Sequence, residues 1–137
     1  MQDNLTNYSL FKITQNIFLL NKNNEFLILK HESGKWLLPG GRLEIGESWL
    51  KGLIREIKEE TGINNFKIKS IFQVDTWEYK GDSYFGIFYI GKTDINQVIL
   101  SVEHIDYKWI KTAKEIDLLD FWNDVLKNRL IRFIDSK

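Results

Sequence analysis

The segment from Ser48 to Gly62 constrains the fold more than any other stretch of this chain. Ser48 suits an N-cap, Leu50, Leu53, Ile54 and Ile57 recur at helical spacing, and Gly62 suits the left-handed position just past a helix end. The pattern predicts a helix from Ser48 to Thr61, packed on a core by those four apolar residues. Glu56, Glu59 and Glu60 fall at i, i+3 and i+4, so they share one face about a third of a turn from the apolar stripe. By local rules they are badly placed, since Glu56 and Glu60 repel and all three crowd the negative end of the helix dipole. A hard divalent cation would offset this, because Mg²⁺ takes oxygen ligands and shares its shell with water and phosphate. The alternative is an ordinary solvated acidic face balanced by Arg55 and Lys58, and the helix alone leaves both readings open.

Around this helix the chain reads as strands. Phe11 to Leu20 and Glu25 to Lys30 are apolar runs joined by the polar cluster Asn21-Lys22-Asn23-Asn24, as in a hairpin. Trp36-Leu37-Leu38 is a short strand that runs into Pro39-Gly40-Gly41, where regular structure is expected to end in a special loop. Lys67 to Tyr79 and Tyr84 to Lys92 flank Lys80-Gly81-Asp82-Ser83 as a second hairpin, and Tyr107 to Ile110 adds a further strand. Thr112 to Glu115 forms a capping box. From Asp120 onward Trp122, Val125, Leu126, Leu130 and Phe133 repeat at helical intervals. Gly52, inside the first helix, costs about 1 kcal/mol relative to alanine and implies close approach of another backbone.

With 137 residues, 43% of them apolar and 14% aromatic, and with no repeat or linker, the chain reads as one domain over residues 1–137 with a single mixed α/β core. Lys plus Arg and Asp plus Glu balance at 19 each, which leaves no surplus to draw the protein to a nucleic-acid polymer or an anionic membrane. The lack of cysteine excludes disulfides, thiolate metal sites and a cysteine nucleophile, and fits the reducing cytoplasm. The opening MQDNLTNYSL has no export signal, and no apolar run approaches the roughly 20 residues that span a bilayer. His31 and His104 read as isolated, with no spacing that argues for zinc.

The segment before and through the helix carries more than local structure. Gly41-x5-Glu47-x7-Arg55-Glu56-Ile57-x-Glu59-Glu60-x-Gly62-Ile63 fills every fixed and aliphatic position of a known signature, and it resembles the box of the Nudix hydrolase family. At residue frequencies of about 6%, seven fixed identities have a chance expectation on the order of 10⁻⁹ per starting position, so coincidence is rejected. Trp36-Leu37-Leu38-Pro39-Gly40 also looks like the family's approach to that box, and the direct resemblance covers residues 36–63.

That resemblance implies an α/β fold of the Nudix type, an α/β/α sandwich around a mixed β-sheet. It implies that Glu56, Glu59 and Glu60 bind Mg²⁺, with Mn²⁺ as a substitute, and that Glu56 takes the proton from an attacking water. Arg55 would orient the glutamates through a bidentate pair and Glu47 would assist, where the plainer reading of each is a surface charge. Gly40 would offer its carbonyl to the metal or act only as a turn residue. Glu103, in the later stretch Ser101 to Trp109, would supply a further ligand or base or remain an ordinary loop carboxylate.

The expected reaction is hydrolysis of a phosphoanhydride in a small nucleotide, with a nucleoside triphosphate favoured. Dinucleoside polyphosphates, for which Tyr79 is weak support, and nucleotide sugars are the alternative substrates. The resemblance makes ADP-ribose less expected, because family members specific for it often carry a proline some way beyond the box and this chain has none after Pro39. Trp77, Tyr79, Tyr84 and Phe85 could stack on a base, although core packing is the commoner use of such residues. A homodimer is the family-level expectation. The competing class of function is a domain that senses a nucleotide or nucleotide sugar without cleaving it, against which the complete acidic set argues.

Overall fold

The computed structural model describes residues 7–137. Residues 1–6, which open the stretch read above for an export signal, lie outside the described residues. In chain order the elements are β1 (Phe11–Leu20), β2 (Phe26–His31), β3 (Trp36–Leu37), β4 (Gly40–Arg42), α1 (Trp49–Thr61), β5 (Phe66–Tyr79), β6 (Asp82–Thr93), β7 (His104–Ile110), α2 (Ala113–Asp117) and α3 (Asp124–Ser136).

The strands form one mixed sheet in the order β3-β2-β1-β6-β5, with β4 added to β1 and β7 to β2. β1 runs parallel to β6 along its whole length, from Phe11 opposite Ser83 to Leu20 opposite Lys92, while the other pairings are antiparallel. Strand alternation sends neighbouring residues of β1 and β2 to opposite faces. Ile17, Leu19, Leu27 and Leu29 pack with Leu53 and Ile57 of α1. Phe18, Leu20, Phe26 and Ile28 pack with Ile116 of α2 and Leu130 and Phe133 of α3. Helices thus cover both faces, and the expected α/β/α sandwich is the architecture of the chain.

Several local expectations need correction. Pro39-Gly40-Gly41 does not end the regular structure: Gly40–Arg42 pairs with Thr14, Gln15 and Asn16 of β1, so the chain re-enters the sheet directly before the helix. Leu38, expected in a strand, lies just past β3 but is buried. α1 has its Ser48 cap, whose hydroxyl accepts from the Lys51 N–H, and Gly62 closes it at φ 73°. Its stripe differs, because Leu50 and Ile54 are 42% and 38% exposed and only Leu53 and Ile57 of the four are buried. Trp122 and the residues from Asp120 stay outside the last helix, which starts at Asp124 behind the Asn123 cap, and Trp122 is half-exposed. Gly52 makes room for side chains, not backbone: a Cβ there would stand 2.7 Å from Glu47 Oε1 and 2.8 Å from Leu43 Cδ1.

Candidate active site

The short strand β4 fixes the backbone of Gly40 and Gly41 against β1, and the loop that follows folds back onto α1. Glu47 closes that loop: its Oε1 accepts from the Glu44 N–H at 3.0 Å and sits over Gly52. Arg55, two turns along α1, grips the same carboxylate through both oxygens, with Nε to Oε2 at 2.6 Å and Nη2 to Oε1 at 3.0 Å. The bidentate pair expected to orient the helix glutamates is made instead with Glu47. The remaining nitrogen, Nη1, donates to Glu56 Oε1 at 3.0 Å and reaches Glu59 Oε2 at 3.4 Å, while Glu44 stands 3.6 Å from Nη2. One guanidinium thus ties the loop to two of the three helix glutamates. Charge-assisted bonds hold the Glu47 carboxyl down at about 2, with the Arg55 bond the main cause and the Glu44 N–H assisting.

Glu60 lies deeper. Its side chain is 12% exposed, Oε1 accepts from the Gly40 N–H at 2.7 Å, and Oε2 stands 3.6 Å from His104 Nε2. Burial pushes this carboxyl up to about 8, against the opposing pull of the Gly40 N–H, with the charges of Glu56, Glu103 and Glu59 adding to the rise. Glu56 is raised as well, chiefly by burial and less by its acidic neighbours, because Arg55 offsets part of the effect. Gly41 packs directly against the Glu56 carboxyl, where any Cβ would collide with it. His104 is itself lowered by burial, an effect that the nearby Glu103 charge opposes.

Arg55, Glu56 and Glu60 line an open cleft of about 580 Å³ with Arg42, Glu44, Glu59, Ser101, Val102 and Glu103. The fold thus brings Arg55, Glu56, Glu59, Glu60 and Glu103 to one cleft, with Glu47 behind Arg55. Gly40 reaches Glu60 through its N–H. Three contributors escaped the sequence reading. Arg42 was not singled out, and its guanidinium donates to the Tyr84 hydroxyl at 3.0 Å and carries no carboxylate partner among the described residues. Glu44 lies in the unconstrained spacer between Gly41 and Glu47 and carries no signal of its own. His104 reads as isolated in the sequence, yet the β2–β7 register puts it opposite His31 and its ring against Glu60. The position directly after Glu103 was the one available signal. The aromatic hairpin is mostly packing: Trp77 stacks on Tyr84 at 5.9 Å and fills the space over Gly86, although Tyr79 is exposed.

The donor set suits a hard cation. Five carboxyl groups and two guanidinium groups line the cleft, so acidic groups outnumber basic ones, and burial raises two of the carboxyls. Among the described residues no three acidic or histidine side chains already form a closed cage, because Arg55 draws Glu56 and Glu59 to itself. Hard oxygen donors with partial preorganisation fit Mg²⁺, which keeps much of its own water.

The model of the NUDIX domain matches residues 10–130, spanning both the box and the strands and helices around it. The chain belongs to the Nudix family. Among its Nudix relatives, Nudix hydrolase 5 of Arabidopsis thaliana is 35% identical over 78 residues, which are 50% of this chain and 26% of that protein. The matched segments cover about a quarter to two fifths of the length of several such relatives. The bis(5'-nucleosyl)-tetraphosphatase [asymmetrical] of Sus scrofa is 31% identical over 105 residues, with 71% of each chain covered. A solved structure of a MutT protein from Methanosarcina mazei Go1 superposes with a TM-score of 0.77 at 27% identity, covering 93% of this chain and 95% of the other. Nudix hydrolases generally use divalent metal ions.

Proposed function

We propose that this Nudix chain is a Mg²⁺-dependent hydrolase that cleaves a phosphoanhydride bond in a small nucleotide, with nucleoside triphosphates the first substrate class to test. The observation that carries the reading is a pair of largely buried glutamates, Glu56 and Glu60, facing an open cleft whose five carboxylates outnumber its two guanidinium groups. Among the described residues the acidic groups of the cleft outnumber the basic ones, and a divalent cation brought in with a polyphosphate would offset that excess.

Glu56, Glu59 and Glu60, with the Gly40 carbonyl, would hold Mg²⁺ or Mn²⁺. Bound there, the metal would draw charge from the phosphate oxygens and orient the attacking water. The protein's own part is positional and acid–base. Arg55 engages Glu56 Oε1, which leaves Oε2 free to accept a proton from water, and the raised affinity of this buried carboxylate for protons suits it to that task. Glu47 keeps Arg55 in place from the loop. Glu103, on the opposite wall, is the second candidate base. Arg42 stands where a phosphate entering the cleft would meet a cation.

The likeness to the pig tetraphosphatase over 71% of the chain favours dinucleoside polyphosphates as a second substrate class, with Tyr79 exposed at the end of β5. The test is a panel of nucleoside triphosphates, dinucleoside polyphosphates and nucleotide sugars incubated with Mg²⁺, following loss of each substrate and appearance of its phosphorylated products by anion-exchange chromatography. Turnover by the wild type and its loss in Glu56→Gln and Glu59→Gln is the expected result. Identical behaviour of all three proteins on every substrate would remove the assignment.

A further inference from the structure

We propose that His104 is a positioning residue of this site, directing the Glu60 carboxylate into the cleft and registering the Glu103 loop against α1. The inference rests on the metal-dependent reading above and adds a residue that the box does not contain.

Glu60 has two oxygens with separate neighbours. The Gly40 N–H takes Oε1 at 2.7 Å, so the rotation of the carboxylate is set by what stands beside Oε2. That neighbour is His104 Nε2 at 3.6 Å, within range of a polar attraction but too long for a formed hydrogen bond. The imidazole is 2% exposed and cannot swing away. Its other nitrogen, Nδ1, lies 3.1 Å from the Ser101 hydroxyl. With a cation bound, Glu60 would be ionised, and a carboxylate repels a lone pair and attracts an N–H, so the arrangement that serves the site has Ser101 donating to Nδ1 and the ring proton on Nε2. Carboxylates and histidines that hold metals are commonly fixed by such neighbours, and removing one typically weakens metal affinity or activity about 10- to 100-fold.

The same residue fixes the far wall of the cleft. His104 starts β7, its N–H bonds the Ser101 carbonyl at 3.2 Å, and the turn between them carries Val102 and Glu103. The loop is pinned on both sides: Ile99 N–H donates to the Thr61 carbonyl at the end of α1, and Glu32 N–H donates to the Glu103 carbonyl. Glu60 and Glu103 line the same cleft, and the His104 ring packs edge-on to His31 at 6.2 Å.

The test compares His104→Gln, which retains an N–H donor of similar reach, with His104→Leu, which fills the space without one, and with Ser101→Ala, which frees Nδ1. Mn²⁺ binding is measured directly by electron paramagnetic resonance without substrate, and kcat and KM are measured separately on whichever nucleotide the wild type cleaves. Wild-type-like circular dichroism qualifies each variant, and if His104→Leu does not fold, weaker Mn²⁺ binding in Ser101→Ala than in His104→Gln supports the role while wild-type Mn²⁺ binding in Ser101→Ala overturns it. Mn²⁺ affinity about tenfold weaker in His104→Leu, a lowered kcat with KM little changed, and recovery to within about threefold in His104→Gln are expected. Affinity and kcat unchanged in folded His104→Leu, or equally impaired in the Gln and Leu variants, would overturn the role of His104 and leave the metal reading standing. A wild type that binds no Mn²⁺ at all would instead overturn the metal reading itself.

Discussion

Two neighbouring glycines in β4 have opposite jobs, and substituting each separates the chemistry from the fold. Gly40 has φ 148°, a conformation L-residues rarely adopt, and a Cβ there would collide with the Gln15 carbonyl oxygen and the Asn16 backbone of β1. Gly40→Ala should destabilise the protein by about 2 kcal/mol or more, measured as a shift of the urea midpoint. Gly41 has no such backbone constraint, and its missing Cβ makes room only for the Glu56 carboxyl. Gly41→Ala should leave the melting curve within about 1 kcal/mol of wild type, because the flexible glutamate moves aside. Activity should fall roughly a hundredfold, as expected when a reacting group is displaced by about an ångström. Equal loss of stability in the two variants would contradict this division. At this scale the box residues were legible because their spacing is local. His104 and Arg42 were not, since strand registers across the chain, His31 opposite His104 and Thr14 opposite Arg42, decide where they stand.

The orientation of α1 explains why its carboxylates are buried. The sequence spacing centres the apolar stripe on Leu50, Leu53, Ile54 and Ile57, whereas the buried line runs through Leu53, Ile57, Glu60 and Thr61. At 100° per residue that is a rotation of roughly 25° toward the acidic face. The helix is held there by bonds that amphipathicity alone does not foresee: Gly40 N–H to Glu60, Arg55 to the Glu47 loop, and the Gln15 amide donating to the Trp49 carbonyl at 2.9 Å. Leu53→Ala and Ile57→Ala should each cost about 2–5 kcal/mol, while Leu50→Ala and Ile54→Ala should cost less than about 1 kcal/mol. Chemical denaturation of the four variants checks this, and a heavy cost at Leu50 would place the helix differently. Element existence and both caps of α1 were readable from sequence. Its rotation, and the return of Gly40–Arg42 to the sheet, depend on partners distant in the chain.

The cleft is also a charge that the whole molecule must carry. In the metal-free protein the folded Glu60 carboxyl titrates near 8, above its ordinary 4.5, so the folded state binds the proton more tightly than the unfolded chain does. Its contribution is therefore fully present below about 4.5 and is lost as pH rises through about 8, at a slope of no more than about 1.4 kcal/mol per pH unit. Glu56, also raised, acts in the same direction. Glu47, held at about 2, contributes stability that is complete above 4.5 and lost only in strong acid, so it is constant in this window. His104 is lowered from 6.5, so the unfolded chain takes up its proton first and stability falls below that pH, which opposes the glutamates there and is silent above it. The interval from pH 7 to 8.5 isolates the carboxyls. Between those values the melting temperature of the protein in EDTA should fall by several degrees, at about 3 °C per kcal/mol for a domain of this size. A divalent cation replaces the proton, so Mg²⁺ should stabilise more at pH 8.5 than at pH 6, flatten the decline and release protons on binding. Thermal melts at pH 6, 7 and 8.5 with and without Mg²⁺ measure this. Parallel curves in the two conditions would mean that the buried carboxyls and the cation do not meet.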